Sequence, residues 1–345
     1  MASDNLSSGK QDSTGNGPPT PIVVILATGG TIAGVGESGA HAAYSSGQLD
    51  TSQLLASVPQ LAQLARLESE EVASVGSQDM NTSIWLQLAR RARHHLARDE
   101  VAGVVITHGT DTLEETAYFL EEVLPYGAPV ILTGAMRPAT GISADGPRNL
   151  FDSVTVAVHP EARDRGVLVV VDEAIHSARG VTKTNTTYVS TFRSHDRGLV
   201  GSVIGGRALF LRPPLPKMGA ELAFDLDAAD ELPAVHILYA YAGMNPAMIS
   251  SAIDVGVRGL VLAGVGNGNA SREVIAELAQ AVRSGIPVVR STRTGSGLVS
   301  RNVEVDDDAL GFVTGGDLHP VKARVQLQLC IASGVPLREL QQHFL

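Results

Sequence analysis

Two short stretches carry residue types suited to acyl transfer: Thr28-Gly29-Gly30-Thr31-Ile32-Ala33-Gly34 and Thr107-His108-Gly109-Thr110-Asp111. A Thr hydroxyl is inert at its own pKa and becomes a nucleophile only beside a base. Each Thr sits on backbone loosened by glycine, which lets a substrate approach the main chain, and Thr110 is followed at once by a carboxylate. Each stretch follows an apolar, β-branched run, residues 21–27 and 101–106, and so reads as a turn at the carboxyl end of a buried strand. Parallel α/β sheets bind their ligands at those strand ends.

The residue types alone leave other uses open. Gly-rich turns after strands also cradle phosphates, although the first stretch is not G-x-G-x-x-G and no G-x-x-x-x-G-K-[ST] occurs. Asp111 stands where a carboxylate could simply cap the next helix. Lys183, in the polar run Thr182-Lys183-Thr184-Asn185-Thr186, could be a solvated charge. The G-x-S-x-G, H-E-x-x-H and cysteine-nucleophile signatures are absent.

The elements that must position these residues alternate in kind. Helices are expected near 51–57, at 83–97 on the stripe Ile84, Trp85, Leu88, Ala92 and Leu96, and from 113 on the face Leu113, Ala117, Leu120 and Leu124. Glu114, Glu115, Glu121 and Glu122 are expected outside that last helix. His94 and His95 would complement a helix C-terminus rather than bind metal. Strands are expected at 66–75, running into Ser77-Gln78, at 129–132, running into Gly134-Ala135, and at 166–171, with a helix at 147–158 and a hairpin at 199–211 around Gly205-Gly206. Residues 35–48, rich in Gly, Ala and Ser and containing Tyr44, read as a mobile lid.

The unpatterned stretch 212–233 reads as a linker. After it the α/β logic repeats at smaller scale: strand 234–240, helix 247–255, strand 259–263 ending in a loop to Asn269, helix 272–284, strand 287–290, and final helices at 319–333 and 336–344. Glu304 opens an acidic run with Asp306, Asp307 and Asp308 that would ordinarily be a solvated loop or, less often, a cation site. The expected fold is therefore α/β in two domains. A larger N-terminal domain, residues 22–211, has a mainly parallel sheet flanked by helices; a smaller C-terminal α/β domain spans 234–345; residues 1–21 form a disordered tail.

Five motifs in one order, the two Thr stretches (the second with Glu114-Glu115-Thr116-Ala117), Gly76-Ser77-Gln78-Asp79-Met80, Gly134-Ala135-Met136-Arg137-Pro138 and Thr182-Lys183-Thr184-Asn185-Thr186, resemble the bacterial L-asparaginase family, in its type II and glutaminase-asparaginase branch. The resemblance runs from about residue 22 to the C-terminus. It implies two polar triads: Thr31, Tyr44 and Glu304, with Glu304 from a neighbouring subunit, and Thr110, Lys183 and Asp111. In that scheme Thr31 attacks to form a β-aspartyl ester, Tyr44 takes its proton, and Lys183, held by Asp111, activates Thr110 or the water. The Thr110 main-chain N–H could serve as an oxyanion donor. Substrate-binding residues by the same resemblance are Ser77, Gln78, Thr110, Asp111, Ala135 and Asn269. Ser77 and Thr110 would hold the α-carboxylate; Asp111, Gln78 and Glu304, with Asn269, would hold the α-ammonium. Asparagine and glutamine differ by one methylene, worth roughly 1–3 kcal/mol of discrimination, so some glutaminase activity is expected; Asn269 leans toward asparagine.

Composition bounds the partners. The chain has 345 residues, 44% hydrophobic and 18% charged, as expected of a globular enzyme. Its net charge of −10 argues against nucleic acid and anionic membrane surfaces as partners. The single Cys330 leaves no internal disulfide and reads as a core residue. No secretory h-region and no membrane-span length of apolar residues occurs, so the cytoplasm is expected, although the type II resemblance points toward the periplasm. No metal or organic cofactor is expected, and the resemblance implies a homotetramer of dimers that share active sites. Two rival functions are a tRNA-dependent amidotransferase subunit, which would bring an RNA-binding domain and a basic surface, and an amino-acid-binding protein, which would not need Thr31, Thr110, Lys183 and Asp111 together.

Overall fold

The computed structural model describes residues 20–36, 44–45 and 51–344. Its larger sheet contains β1 Ile22–Gly29, β2 Arg66–Val75, β3 Val101–Thr107, β4 Val130–Thr133, β5 Val167–Val171, β6 Ala174–Ser177, β7 Gly201–Ile204 and β8 Arg207–Phe210. The spatial order is β8-β7-β6-β5-β4-β3-β1-β2. β2, β1, β3, β4 and β5 run parallel, and β6, β7 and β8 add antiparallel. The parallel part thus reads 2-1-3-4-5, and the direction of winding reverses between β1 and β3. Such a reversal opens a crevice at the carboxyl ends of those two strands.

The sheet is apolar on both faces, as the unbroken β-branched runs require. Alternate residues of β1 enter different cores: Val24 and Leu26 pack with Trp85, Ala89, Leu113 and Leu120, whereas Val23 and Ile25 pack with Leu54, Leu150 and Val154. The first layer is supplied by α2 Thr82–Leu96 and α3 Leu113–Val123, the second by α1 Thr51–Ala56 and α4 Gly146–Ala157. Asn81 starts α2 by accepting from the Ile84 N–H at 3.0 Å.

The C-terminal half forms a four-stranded parallel sheet in the order β9 Val235–Tyr239, β10 Gly259–Gly264, β11 Val288–Thr292 and β12 Val313–Thr314. α5 Ala247–Asp254 and α6 Arg272–Arg283 close one core, and the short α7 Asp307–Leu310 precedes β12. α8 Pro320–Ala332 lies on the other face and also packs on α3. Val261, Val289 and Leu327 therefore share one apolar cluster with Leu113 and Tyr118. Cys330 is buried in α8, and burial pushes its thiol up to about 12. Among the described residues no helix is long and apolar enough to cross a membrane.

Two expectations, the outer placement of the α3 glutamates and an α-helix at 336–344, need correction. The glutamates of α3 are not on an outer face: Glu114 and Glu122 are buried. α3 is packed on its second side by α8 and by the 212–233 segment, which supply Lys322 (3.9 Å from Glu114), Arg324 (3.0 Å from Glu115) and Lys217 (3.6 Å from Glu122); Glu121 accepts the Tyr126 hydroxyl at 2.6 Å. A helical stripe marks one buried face and is silent about the other. The segment 212–233 has no regular structure, yet Leu226 and Leu232 are in the core and Arg90 donates to the Leu226 carbonyl at 3.0 Å. Residues Leu337–His343 form a 3₁₀ rather than an α-helix. His95, besides ending α2, contacts Glu70 at 2.8 Å through Nε2. Most of the expected lid, residues 37–43 and 46–48, lies outside the described residues.

Candidate active site

The loops after β1 and β3 meet at the reversal point of the sheet. Thr28 Oγ1 donates to the Thr107 carbonyl at 3.0 Å and ties the two strand ends together. Gly30 has φ of 83°, and a Cβ on it would stand 2.5 Å from the Cα of Gly109, so glycine is required for this approach. A Cβ on Gly109 would in turn stand 2.6 Å from Ser77 Oγ. The β1, β2 and β3 loops are thus in main-chain contact. Thr31 opens a 3₁₀ turn, Thr31–Ala33, anchored by the buried Ile32, and is itself buried, as are Ser77, Thr110 and Ala135.

Lys183 supplies the charge. Thr182–Lys183 pairs antiparallel with Phe192–Arg193, so the lysine stands on a short ladder rather than in a polar loop. Its ammonium donates to Thr110 Oγ1 at 2.9 Å and to Asp111 Oδ1 at 2.6 Å. Asp111 therefore does not cap α3: Thr112 is the N-cap residue, and no side chain caps that end. The lysine side chain is 14% exposed and Asp111 62%, so the pair opens to solvent from the carboxylate side. Ser77 Oγ accepts from the Asp111 N–H at 3.1 Å, and the Thr112 hydroxyl donates to the Ser77 carbonyl at 2.7 Å. Gln78 is exposed and reaches Asp79 at 3.3 Å. Tyr44 belongs to a two-residue strand, Tyr44–Ser45, that pairs with Val35–Gly36.

Beneath the Thr110 loop runs a hydrogen-bond chain that motif reading did not single out. Trp85 Nε1–H can only donate, and does so to Thr116 Oγ1 at 2.8 Å. The Thr116 hydroxyl proton is then free for His108 Nε2 at 2.9 Å, which leaves His108 Nδ1–H to donate to the Gly109 carbonyl at 2.6 Å. Burial pushes the His108 pKa down to about 4, and the bond to Gly109 offsets part of that. The neutral ring fixes the peptide preceding Thr110.

A second cluster is built wholly from the C-terminal half. Asn269 lies at the end of the loop after β10, closed by reciprocal 2.8 Å main-chain bonds between Val265 and Asn269, and its Nδ2 donates to the Glu304 carboxylate. Among the described residues no hydrogen bond or ion pair joins this cluster to Thr110, Asp111 or Lys183. No group of three or more His, Cys, Asp or Glu stands together as a metal site would require, again among the described residues.

Comparison with known proteins decides the family. Residues 22–216 match the family "Asparaginase, N-terminal" and residues 234–344 match "Glutaminase/Asparaginase C-terminal domain". The chain belongs to the asparaginase family. It is 44% identical to L-asparaginase 2 of Escherichia coli (strain K12) over 94% of this chain and 92% of that protein. It is 39% identical to the glutaminase-asparaginase of Pseudomonas fluorescens biotype A over 93% and 89%. A solved structure, a probable cytoplasmic L-asparaginase from Campylobacter jejuni, superposes with a TM-score of 0.89 at 39% identity, covering 94% of this chain and 99% of that one.

In this asparaginase-family chain the acidic run after Glu304 is not a solvated loop. Asp306 caps α7 by accepting from the Ala309 N–H at 3.0 Å, Asp307 is fully buried against Arg290, and Asp308 pairs with Arg301. Arg290 is the residue that organises this end: all five of its N–H donors are used, on Asp307 Oδ1 (2.6 Å) and Oδ2 (2.8 Å) and on the carbonyls of Asn267 (3.1 Å), Gly268 (3.0 Å) and Ser300 (3.3 Å). Its signal in the sequence is an arginine directly after the apolar pair Val288-Val289, within strand β11.

Proposed function

We propose that this chain hydrolyses the side-chain amide of L-asparagine to L-aspartate and ammonia, and acts more slowly on L-glutamine. The observation that carries this is the Lys183 ammonium held between Thr110 Oγ1 and Asp111 Oδ1 at the sheet's reversal point, one loop away from Thr31. In the reaction Thr31 Oγ1 attacks the amide carbon while Tyr44 takes its proton. The tetrahedral oxyanion forms against the Thr110 main-chain N–H. The C–N bond breaks with a proton delivered to the departing nitrogen, leaving an ester on Thr31. Lys183, kept in place by Asp111, orients Thr110 and the water that hydrolyses this ester. Ser77 and Thr110 bind the α-carboxylate, Ala135 lines the site, and Asp111 and Gln78 bind the α-ammonium.

Asn269 and Glu304 complete the site from a neighbouring subunit. We infer a reciprocal two-fold dimer, with two such dimers in a tetramer. Support comes from the self-contained Asn269–Glu304 cluster, already organised, with no hydrogen bond or ion pair among the described residues to its own chain's Thr110, Asp111 or Lys183. Ammonia release from asparagine by the wild type and by Thr31→Ala tests the reading. Turnover is expected to fall by about 10⁴ or more, as for other members of cooperating sites; a variant keeping a tenth of wild-type turnover removes Thr31 from the role of nucleophile.

A further inference from the structure

Under the strand pair that carries Lys183 lies a buried charge pair with no part in the reaction above. Glu114 is in the first turn of α3 and Lys322 in the first turn of α8, and both are buried. Lys322 Nζ is 3.9 Å from Glu114 Oε2, which has no hydrogen-bond partner. The same ammonium donates to the carbonyls of Arg179, at 3.0 Å, and Val181. From the other side the Thr182 hydroxyl and the Lys183 main-chain N–H lean on the Glu114 carboxyl and lower its pKa against the larger effect of burial. Burial pushes Lys322 down to about 8, and the charge of Glu114 opposes that shift.

Ladder geometry explains why the Lys183 N–H is available. Thr184 N donates to Thr191 O at 2.9 Å, so the alternation of an antiparallel pair makes Lys183 and Phe192 a non-hydrogen-bonded position. The Lys183 N–H then turns away from Phe192. The main chain of residues 179–183 is consequently held by Lys322 through the Arg179 and Val181 carbonyls, and Lys322 in turn faces Glu114 from the other half of the protein. A buried ion pair is a poor route to stability, since apolar replacements usually do as well or better.

We propose that Glu114 and Lys322 are a positioning pair for Lys183: by clamping residues 179–183 between α3 and α8 they aim the Lys183 ammonium between Thr110 Oγ1 and Asp111 Oδ1. The proposal rests on the reading that Lys183 acts in amide hydrolysis, and the test separates the two.

Steady-state ammonia release is measured for Glu114→Ala, Glu114→Gln, Lys183→Met and the double variant Glu114→Ala/Lys183→Met. Glu114→Ala is expected to lower kcat about 10²-fold with KM within about threefold, the loss that a displacement near 1 Å produces. Glu114→Gln keeps an acceptor for the Thr182 hydroxyl and the Lys183 N–H, and is expected to stay within about fivefold of wild type. In the Lys183→Met background Glu114→Ala should cost nothing further, because a positioning residue has no effect once its target is gone. A merely structural role would lower both backgrounds alike. Should Glu114→Ala fail to fold, the uncharged pair Glu114→Gln/Lys322→Met replaces it with the same expected fall in kcat at constant KM. Near-wild-type kcat in whichever of these two folds, or equal losses in both backgrounds, overturns the proposal. Wild-type turnover in Lys183→Met itself overturns the reading of Lys183, and the proposal with it.

Discussion

Arg290→Met probes how the second cluster is held. Arg290 and Asp307 are 1% and 0% exposed in their side chains, and the substitution leaves Asp307 as a buried carboxylate whose only remaining hydrogen-bond donor among the described residues is the Asn302 N–H, at 2.9 Å. Removing one partner of a buried pair costs about 3–5 kcal/mol, a large share of the roughly 5–15 kcal/mol by which domains are stable. At about 2.1 cal/mol/K of unfolding entropy per residue, or about 1.4 °C per kcal/mol for a chain of this size, the melting temperature should fall by roughly 4–7 °C. Thermal and urea unfolding of the purified protein read this directly. Arg290→Met/Asp307→Leu removes the stranded charge as well and should recover part of the lost stability. It should not recover substrate affinity. The carbonyls of Asn267, Gly268 and Ser300 still lack their donors, and these belong to the loops that carry Asn269 and Glu304. KM for asparagine should stay raised by about tenfold, the cost of roughly one displaced polar contact. A single variant melting within about 2 °C of wild type, or a double variant less stable than the single, would refute the account of Arg290.

Three other outcomes are expected. Thr110→Val removes the hydroxyl that Lys183 meets at 2.9 Å and should lower turnover by several orders of magnitude, about 10³ or more, with an unchanged circular dichroism spectrum; more than a tenth of wild-type turnover would show that the hydroxyl is dispensable. His108 stays neutral in the folded chain down to about pH 4, whereas the unfolded chain protonates near 6.5. Its contribution to stability is therefore full above about pH 6.5 and is lost as the pH falls toward 4, by about 3 kcal/mol. His108→Gln should flatten that part of the stability–pH curve relative to wild type, a difference free of the buried carboxylates common to both proteins; parallel curves would place the histidine elsewhere. Mixing inactive Thr31→Ala with inactive Glu304→Ala under conditions of subunit exchange should restore part of the activity, since a hybrid dimer holds one intact site; demonstrated exchange without recovery would end the shared-site reading.

Much of the scaffold was legible because its signals are local. The β-branched runs before Thr28 and Thr107 needed no tertiary information, and β1 and β3 are found where those runs stand. The resemblance named Lys183 and Asp111 together, and their 2.6 Å contact across 72 residues of chain is made by the separate ladder of Thr182–Lys183 with Phe192–Arg193 and is not readable from any spacing. What stayed illegible depends on second neighbours. The glutamates of α3 look solvated until α8 is packed on them, and the Asp306-Asp307-Asp308 run looks like a polar loop until an arginine 17 residues earlier is seen to face it. Buried charge is invisible in periodicity, because a helix or strand pattern reports which residues are apolar and not which polar ones have partners. Trp85 falls in the same class: it reads as part of an apolar stripe, and only its donor chain through Thr116 to His108 shows that it helps to fix a peptide.

If the proposed roles hold, the two clusters divide the work on an amino-acid amide in a way that their construction explains. On the proposed reading, Thr31, Thr110 and Lys183 act on the amide end, with Asp111 keeping Lys183 in place. They sit on main chain locked by contacts between Gly30 and Gly109 and between Gly109 and Ser77, where small displacements are resisted by close packing. Asn269 and Glu304, with Asp111 and Gln78, act on the ammonium end, and the loops of the first two are held by hydrogen bonds from Arg290 to carbonyls as well as by the apolar contacts of Val265, Val299 and Val305. Rigid positioning matters most where bonds break, whereas the end that only recognises charge can tolerate adjustment and accept a side chain one methylene longer. Substitutions around Arg290 should therefore move KM and the asparagine-to-glutamine ratio, and substitutions around Gly30, His108 and Glu114 should move kcat.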